Sequence, residues 1–290
     1  MIAQNTPLLE LPKPIDMAIE KSDFIEGMAK GMAVLESFDT ERQRLNATLA
    51  AQRAGLTRAA ARRHLLTLAH LGYLESDGSY FWLSPKVLRL SGSYLASARL
   101  PRAVQPVLNR LAAQSRESFS VAVLEGDAVV IVARSVSLAP ASEGADWDSS
   151  SLARSALPPV RLLAHGLHLG ARLPAHATST GRVLLAALPR ADFTAWLKGR
   201  VLPRLTPYTV TEPKALRQVI AQVRQADHCI ASQEHEFGVH AVAVPLRNMD
   251  GATVAALNAV VSAHSLQSGV VQRELLPLLQ DAARELRPLV

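Results

Sequence analysis

Between Phe24 and Phe38 apolar side chains recur at Ile25, Met28, Met32, Leu35 and Phe38, close to the 3.6-residue period of a helix with one buried face. Asp39–Gln43 is a polar break. The period restarts over Leu45–Ala54, with Leu45, Leu49 and Ala50 on one side and Asn46 placed as a cap. Gly55 supplies the corner that follows, because glycine accepts positive φ without a steric penalty. Thr57 is the expected N-cap of a third helix, with Ala61, Leu65, Leu68 and Leu71 facing inward and Arg58, Arg62 and Arg63 outward. Gly72 ends it. Two β-prone runs, Tyr73–Ser76 and Ser79–Leu83, flank Asp77-Gly78, a strong hairpin signal. Three helices and a hairpin in this order predict a winged helix-turn-helix over residues 24–84, with Tyr80, Phe81 and Trp82 as core and wing framework.

Pro85 opens another helix, Lys86–Ala98, whose Leu88, Leu90, Tyr94 and Leu95 are too apolar for a free linker; residues 85–100 are assigned to this connection. Ala103–Ser118 reads as a helix after Pro101. The pattern then becomes mixed. Strands are expected at Val121–Leu124, Val129–Ala133, Leu173–Ala177, Cys229–Ser232, Ala241–Leu246 and Val254–Val261, and helices at 179–188, 191–198, 213–226 and Leu266–Leu286. Ala139–Ser151, rich in Ser, Ala and acids, reads as a loop or loosely specified hairpin. The fold class is therefore α+β, with residues 101–290 a sensory domain built on an antiparallel sheet flanked by helices. Residues 1–23 read as a poorly ordered arm without a secretory leader's basic-then-apolar pattern.

Charge changes the picture once it is located. The chain carries net +6 over 290 residues, but residues 42–116 alone carry +10, residues 1–41 carry −5 and the remainder +1. Arg42–Leu74 holds six arginines and no Asp or Glu. Coinciding with a helix-turn-helix pattern, this acid-free run of arginines points to double-stranded DNA rather than to a generally cationic protein. Arg58, Arg62 and Arg63, with Thr57, Ala59 and His64 on the same helix and Arg44 and Asn46 before it, are the candidate DNA contacts. No apolar run reaches membrane-spanning length. The single cysteine, Cys229, excludes an internal disulfide framework and suits a reducing cytoplasm.

Chemistry is sparser. His176-Ala177-Thr178-Ser179-Thr180-Gly181 carries the chain from a strand into a helix, and a Ser/Thr-lined helix start either caps itself or receives a carboxylate. Arg134 ends an apolar strand and needs an anion, either a protein acid or a ligand. His228, Cys229, His235 and His240, with Glu234 and Glu236, contain metal-ligand residue types but neither CxxC nor HExxH spacing. No phosphate loop or GxGxxG follows a strand. No cofactor is called for, and the chain reads as a non-enzyme.

The helix-turn-helix, the connecting helix and the runs 172–186, 234–245 and Ala255-Ala256-Leu257-Asn258 resemble the IclR family of bacterial transcription regulators, over about residues 24–290. Arg42–Asn46, Ala60–Arg63, Tyr80–Leu83, Ala133–Ser135, His168–Gly170 and 204–209 are most similar to the branch governing aromatic-acid catabolism. The resemblance implies a homodimer or tetramer on operator DNA, acting on RNA polymerase as an activator. It implies an aromatic carboxylate effector, 4-hydroxybenzoate or, alternatively, protocatechuate or β-ketoadipate. The effector residues it implies are Thr178, Ser179, Thr180, Gly181, Val239, Ala241 and Asn258, with Arg134 and His168. Where some members have a pocket acid this chain has Ala231 and Ser232, and where some have a pocket cysteine it has Ala241, which suits an anionic aromatic ligand. Two rivals remain: a small-molecule-binding protein whose helical part docks a protein, and a hydrolase or metal enzyme using Cys229, His235 and His240.

Overall fold

The computed structural model describes residues 19–39, 42–115, 117–135 and 168–290. The chain divides into two compact units between Ser97 and Ala98. Most of the expected N-terminal arm and all of the Ala139–Ser151 loop lie outside the described residues.

In the first unit α1 (Glu26–Leu35), α2 (Ala47–Ala54) and α3 (Arg58–His70) pack around Val34, Leu45, Ala50, Ala61 and Leu65, which are fully buried. α1 departs from expectation. Of the expected apolar series, Leu35 and Phe38 join the core beside Ala33 and Val34, whereas Ile25, Met28 and Met32 are exposed. Small residues on the inner side allow close approach to α3: a side chain on Gly31 would already touch His64 Nδ1 at 3.6 Å. The regular Met stripe is a real helix face, turned away from this unit's own core.

α2 begins two residues later than its pattern predicts. Asn46 accepts from the backbone N–H of Thr48 at 3.0 Å and of Leu49 at 2.9 Å, so it is the cap. Leu45 is consequently extended, and its N–H and C=O bond Phe81 at 2.9 and 2.8 Å. Gly55 takes the left-handed corner at φ +66°. Thr57 Oγ1 accepts from Ala60 N at 3.2 Å. Along α3, Ala61 and Leu65 are buried and Leu68 half-buried, but Leu71 is 49% exposed because the helix ends at His70. β1 (Leu74–Ser76) and β2 (Phe81–Leu83) pair antiparallel, Glu75 opposite Trp82. Asp77 Oδ1 accepts from Ser79 and Tyr80 N–H at 3.0 and 2.7 Å, and Gly78 has φ +96°, so the turn spans four residues rather than two. After a 3-10 turn at Pro85–Val87, α4 (Leu88–Ser97) exposes Leu88, Leu90 and Tyr94.

The second unit opens with α5 (Arg99–Ser115), which starts earlier and stops earlier than expected; Pro101 sits in its first turn, where a missing N–H costs nothing. β3 (Ser118–Glu125), β4 (Ala128–Arg134), β5 (Arg172–Pro174), β6 (Cys229–Ser232), β7 (His240–Arg247) and β8 (Thr253–Val261) form one sheet in the order β5-β4-β3-β8-β7-β6, every pairing antiparallel. One face packs on α5 and α10 (Leu276–Leu286) through Leu108, Leu111, Leu257 and Leu279. The other packs on α6 (Ser179–Ala187), α7 (Arg190–Leu197) and α8 (Pro213–Ala226) through Ala122, Val129, Ala243 and Ala256 against Leu185, Leu216 and Ile220. Ala, rather than Leu, on the second face of the central strands lets α6 lie close to the sheet.

Two elements differ from the sequence pattern. The strand expected at Leu173–Ala177 stops at Pro174 and becomes a 3-10 turn, Ala175–Ala177. That turn lies directly beneath α6, so close that a Cβ on Gly181 would fall 2.2 Å from the Ala175 carbonyl oxygen. The closing helix is interrupted: α9 (Ala263–Gln267) ends before Gly269 at φ +72°, and a π turn, Val271–Leu275, leads into α10.

Candidate functional site

Two surfaces concern function. On α3, Arg58 and Arg62 lie one turn apart, as do Ala59 and Arg63, and all four are exposed on the side opposite Ala61 and Leu65. No ion pair holds Arg58, Arg62 or Arg63 among the described residues. The other candidates are occupied differently. Asn46 and Thr57 spend their side-chain oxygens on helix caps. Arg44 pairs with Asp77 at 2.5 Å and lies over the rings of Trp82 and Tyr80, at 4.7 and 5.7 Å from their centroids, so it braces the wing. Arg53 is a brace as well: it donates to Ser37 O at 2.7 Å and pairs with Asp39. His64 is half-buried against Gly31 and sits beside the core face of α3 rather than among the arginines.

The second surface is a cleft at the start of α6. Its walls are Leu173, Ala177, Thr178, Ser179 and Thr180 on one side and Ala231, Glu234, His235, Val239, Ala241, Asn258 and Val260 on the other. About 420 Å³ between them is free of protein atoms, the open mouth included. Sheet register explains the floor. Asn258 stands opposite Ala243 on β7 and Ser120 on β3, and Val260 stands opposite Ala241, so these residues share one face. Ser120 Oγ donates to Asn258 Oδ1 at 2.5 Å, and both residues are buried. Ser120 in turn pairs with Arg134 on β4, which puts Arg134 on the same side of the sheet, two strands from Asn258.

The roof is set by charge. Arg182, 3% exposed, donates through both terminal nitrogens to the Glu234 carboxylate, one bond measuring 2.5 Å, and through Nε to His176 O at 2.9 Å. Val210 N–H reaches the same carboxylate at 3.2 Å, and Thr209 Oγ1 donates to Glu234 O at 2.7 Å. A bidentate guanidinium–carboxylate pair fixes orientation as well as distance, so it anchors the 233–239 segment over the cleft. It also neutralises the carboxylate lining the cleft. Thr178 Oγ1 caps α6 by accepting from Gly181 N at 3.1 Å, and Ser179 and Thr180 present the positive end of that helix.

Six of the nine expected effector residues thus meet in one place: Thr178, Ser179, Thr180, Val239, Ala241 and Asn258. Gly181 instead packs on Ala175, and His168 is exposed in the turn before β5. Arg134 faces the right side of the sheet without lining the cleft. Sequence reasoning missed Arg182 and the placement of Glu234 and His235. The pair is separated by 52 positions, and only the fold brings it together.

The Cys/His constellation behaves otherwise. Cys229 is buried and its thiol is pushed up to about 11 by desolvation, the opposite of an activated nucleophile. His240 bonds Ser232 Oγ at 2.7 Å, His228 is half-buried with its Nδ1 2.8 Å from Ala226 O, and His235 lines the cleft. Among the described residues no three His, Cys, Asp or Glu side chains gather as metal ligands. No described helix is long and apolar enough to cross a membrane.

Known proteins bear on both surfaces. Residues 27–78 match the IclR helix-turn-helix domain, and residues 156–287 match the bacterial transcriptional regulator IclR C-terminal domain. The p-hydroxybenzoate hydroxylase transcriptional activator of Acinetobacter baylyi is 46% identical over 272 residues, 94% of each chain. The Pca operon regulatory protein of the same organism is 47% identical over 269 residues, 93% of this chain and 90% of that one. Among solved structures, a double mutant of the PobR inducer-binding domain from Acinetobacter, complexed with 3-hydroxybenzoic acid, is 42% identical. It superposes with a TM-score of 0.55 over 66% of this chain and 98% of its own. With both units matched and near-half identity along almost its whole length, this chain belongs to the IclR family of helix-turn-helix transcription regulators.

Proposed function

We propose that the chain activates the p-hydroxybenzoate hydroxylase gene in response to 4-hydroxybenzoate, acting in the cytoplasm as a homodimer or tetramer on operator DNA and recruiting RNA polymerase. Arg58, Arg62 and Arg63 engage phosphates and base edges, while Arg44 holds the wing beside them. The effector's carboxylate lies at the start of α6, at Ser179 and Thr180, and its ring lies on Ala177, Ala231, Val239, Ala241 and Val260. Asn258, on the floor, orients the ligand, while Arg134 stands on the same side of the sheet outside the cleft walls.

The observation that carries this proposal is the charge balance of the cleft. Its one carboxylate is already matched by Arg182, so the helix terminus remains as an uncompensated positive end facing apolar walls. A small aromatic monoacid complements that arrangement. Near-equal identity to the Pca operon regulator keeps protocatechuate or β-ketoadipate as the second reading. Fluorescence anisotropy with DNA upstream of the hydroxylase gene, combined with a transcription reporter, tests the proposal. Specific binding with transcription raised by 4-hydroxybenzoate supports it; a reporter that answers only to protocatechuate or β-ketoadipate selects the second reading.

A further inference from the structure

We propose that His235 reads the effector's ring hydroxyl: its Nδ1 accepts the hydrogen bond of a phenolic O–H inside the cleft. The inference rests on the function proposed above and assigns the residue that separates hydroxylated aromatic acids from plain ones.

His235 lines the cleft from the segment between β6 and β7. Its Nδ1 is shielded from solvent, and among the described residues it is the one buried side-chain nitrogen or oxygen without a hydrogen-bond partner. Folded proteins leave few such atoms, and one on a side chain that lines a cleft points to a partner supplied from outside the chain. Its neighbours are committed elsewhere. Glu234 is held by Arg182 and Val210 N–H, Gln233 Oε1 accepts from Gly238 N at 3.2 Å, and Ser232 Oγ bonds His240. Arg182 and Thr209 fix the adjacent residue, Glu234, so the backbone that carries His235 is anchored beside the cleft.

The chemistry selects the partner. Burial holds the His235 imidazole below its ordinary range, with Glu236 pulling the other way, so the ring is neutral at physiological pH. A neutral ring protonated at Nε2 offers a lone pair at Nδ1. A lone pair repels a carboxylate and accepts from an O–H. The carboxylate therefore belongs at the α6 terminus and the hydroxyl at His235. A site built around a hydroxyl discriminates strongly against the ligand that lacks it, because a buried polar atom is then left unpaired.

Calorimetry on the full chain tests this with 4-hydroxybenzoate and benzoate as the two probes. The wild type is expected to prefer 4-hydroxybenzoate by about tenfold or more, as one hydrogen bond implies. His235→Phe is expected to weaken 4-hydroxybenzoate by about tenfold while leaving benzoate within about twofold, and His235→Asn, which retains an acceptor, to recover most of the preference. Imidazole nitrogen NMR of the wild type provides a readout independent of the variants' folding: the Nδ1 resonance should move with 4-hydroxybenzoate and not with benzoate. Equal weakening of both acids by His235→Phe, or an Nδ1 resonance indifferent to the hydroxyl, overturns the assignment. A wild type that binds neither acid overturns the parent reading itself.

Discussion

Arg182 and Glu234, 52 residues apart in the chain, form a bidentate pair in which the guanidinium is 3% and the carboxylate side chain 12% exposed. A buried pair adds little net stability over an apolar pair of the same shape, but breaking it strands a charge. Glu234→Ala is therefore expected to cost about 3–5 kcal/mol and to lower the thermal midpoint of this unit by roughly 10 °C. The double change Arg182→Leu/Glu234→Leu should restore much of that stability while loosening the segment above the cleft, so effector affinity stays low. Thermal denaturation and calorimetry on the three proteins separate the two effects. A single variant as stable as the wild type contradicts the pairing.

DNA affinity should depend on Arg58, Arg62 and Arg63 rather than on the bracing Arg44 and Arg53. Each phosphate neutralised contributes roughly 0.9 to the slope of log affinity against log salt. Arg62→Ala should weaken operator binding and, where it removes a phosphate contact, reduce that slope by about one. Arg53→Ala should instead lower stability, since its guanidinium joins Ser37 O and Asp39. An anisotropy titration at several salt concentrations distinguishes them.

Gly181→Ala probes the closeness of α6 to the turn below it. The added methyl meets the Ala175 carbonyl oxygen and Cα at 2.2 and 2.3 Å, both backbone atoms, so the helix start must move. Overpacking of this kind costs about 1–3 kcal/mol. Because Thr178, Ser179 and Thr180 move with it, effector affinity should fall as well. Urea denaturation together with calorimetry checks both parts.

Stability should decline as acidity rises from neutral. Burial is the main cause that lowers the pKa of His176, His235 and His240. The unfolded chain takes up these protons near pH 6.5 and the folded chain only at lower pH. The unfolded state thus binds more protons in that window, and stability rises with pH. Their contribution is fully present above about pH 6.5 and is lost as pH falls through their folded values. Glu117, raised chiefly by burial, acts in the opposite sense at the acidic end. The thermal midpoint is expected to be lower at pH 5.5 than at pH 7.5, and His176→Gln should flatten the dependence.

Local pattern carried much of the fold. Asp77-Gly78 marks a hairpin by its own chemistry, Thr57 and Asn46 mark helix starts, and β6 and α8 fall where their patterns predict. The Met28/Met32 stripe misled because periodicity reports an apolar face without saying what covers it. The strand expected at Leu173–Ala177 gives way after Pro174 to a turn packed against Gly181, a contact with no local signature. The same holds for the site. Thr178–Thr180 is legible as a helix start, and family resemblance reached Val239, Ala241 and Asn258. Arg182 needed Glu234 beside it before its role was visible, and His235 looked like a loop residue until its Nδ1 was found buried.

The central claim is that the cleft at the start of α6 takes an aromatic acid. Isothermal titration of the full chain with 4-hydroxybenzoate, with pyruvate as the small keto-acid control, tests it most directly. Saturable binding of 4-hydroxybenzoate that is abolished or strongly weakened in Gly181→Ala, with no binding of pyruvate, is the predicted result. Binding of pyruvate in preference to 4-hydroxybenzoate, or 4-hydroxybenzoate binding indifferent to Gly181→Ala, contradicts it.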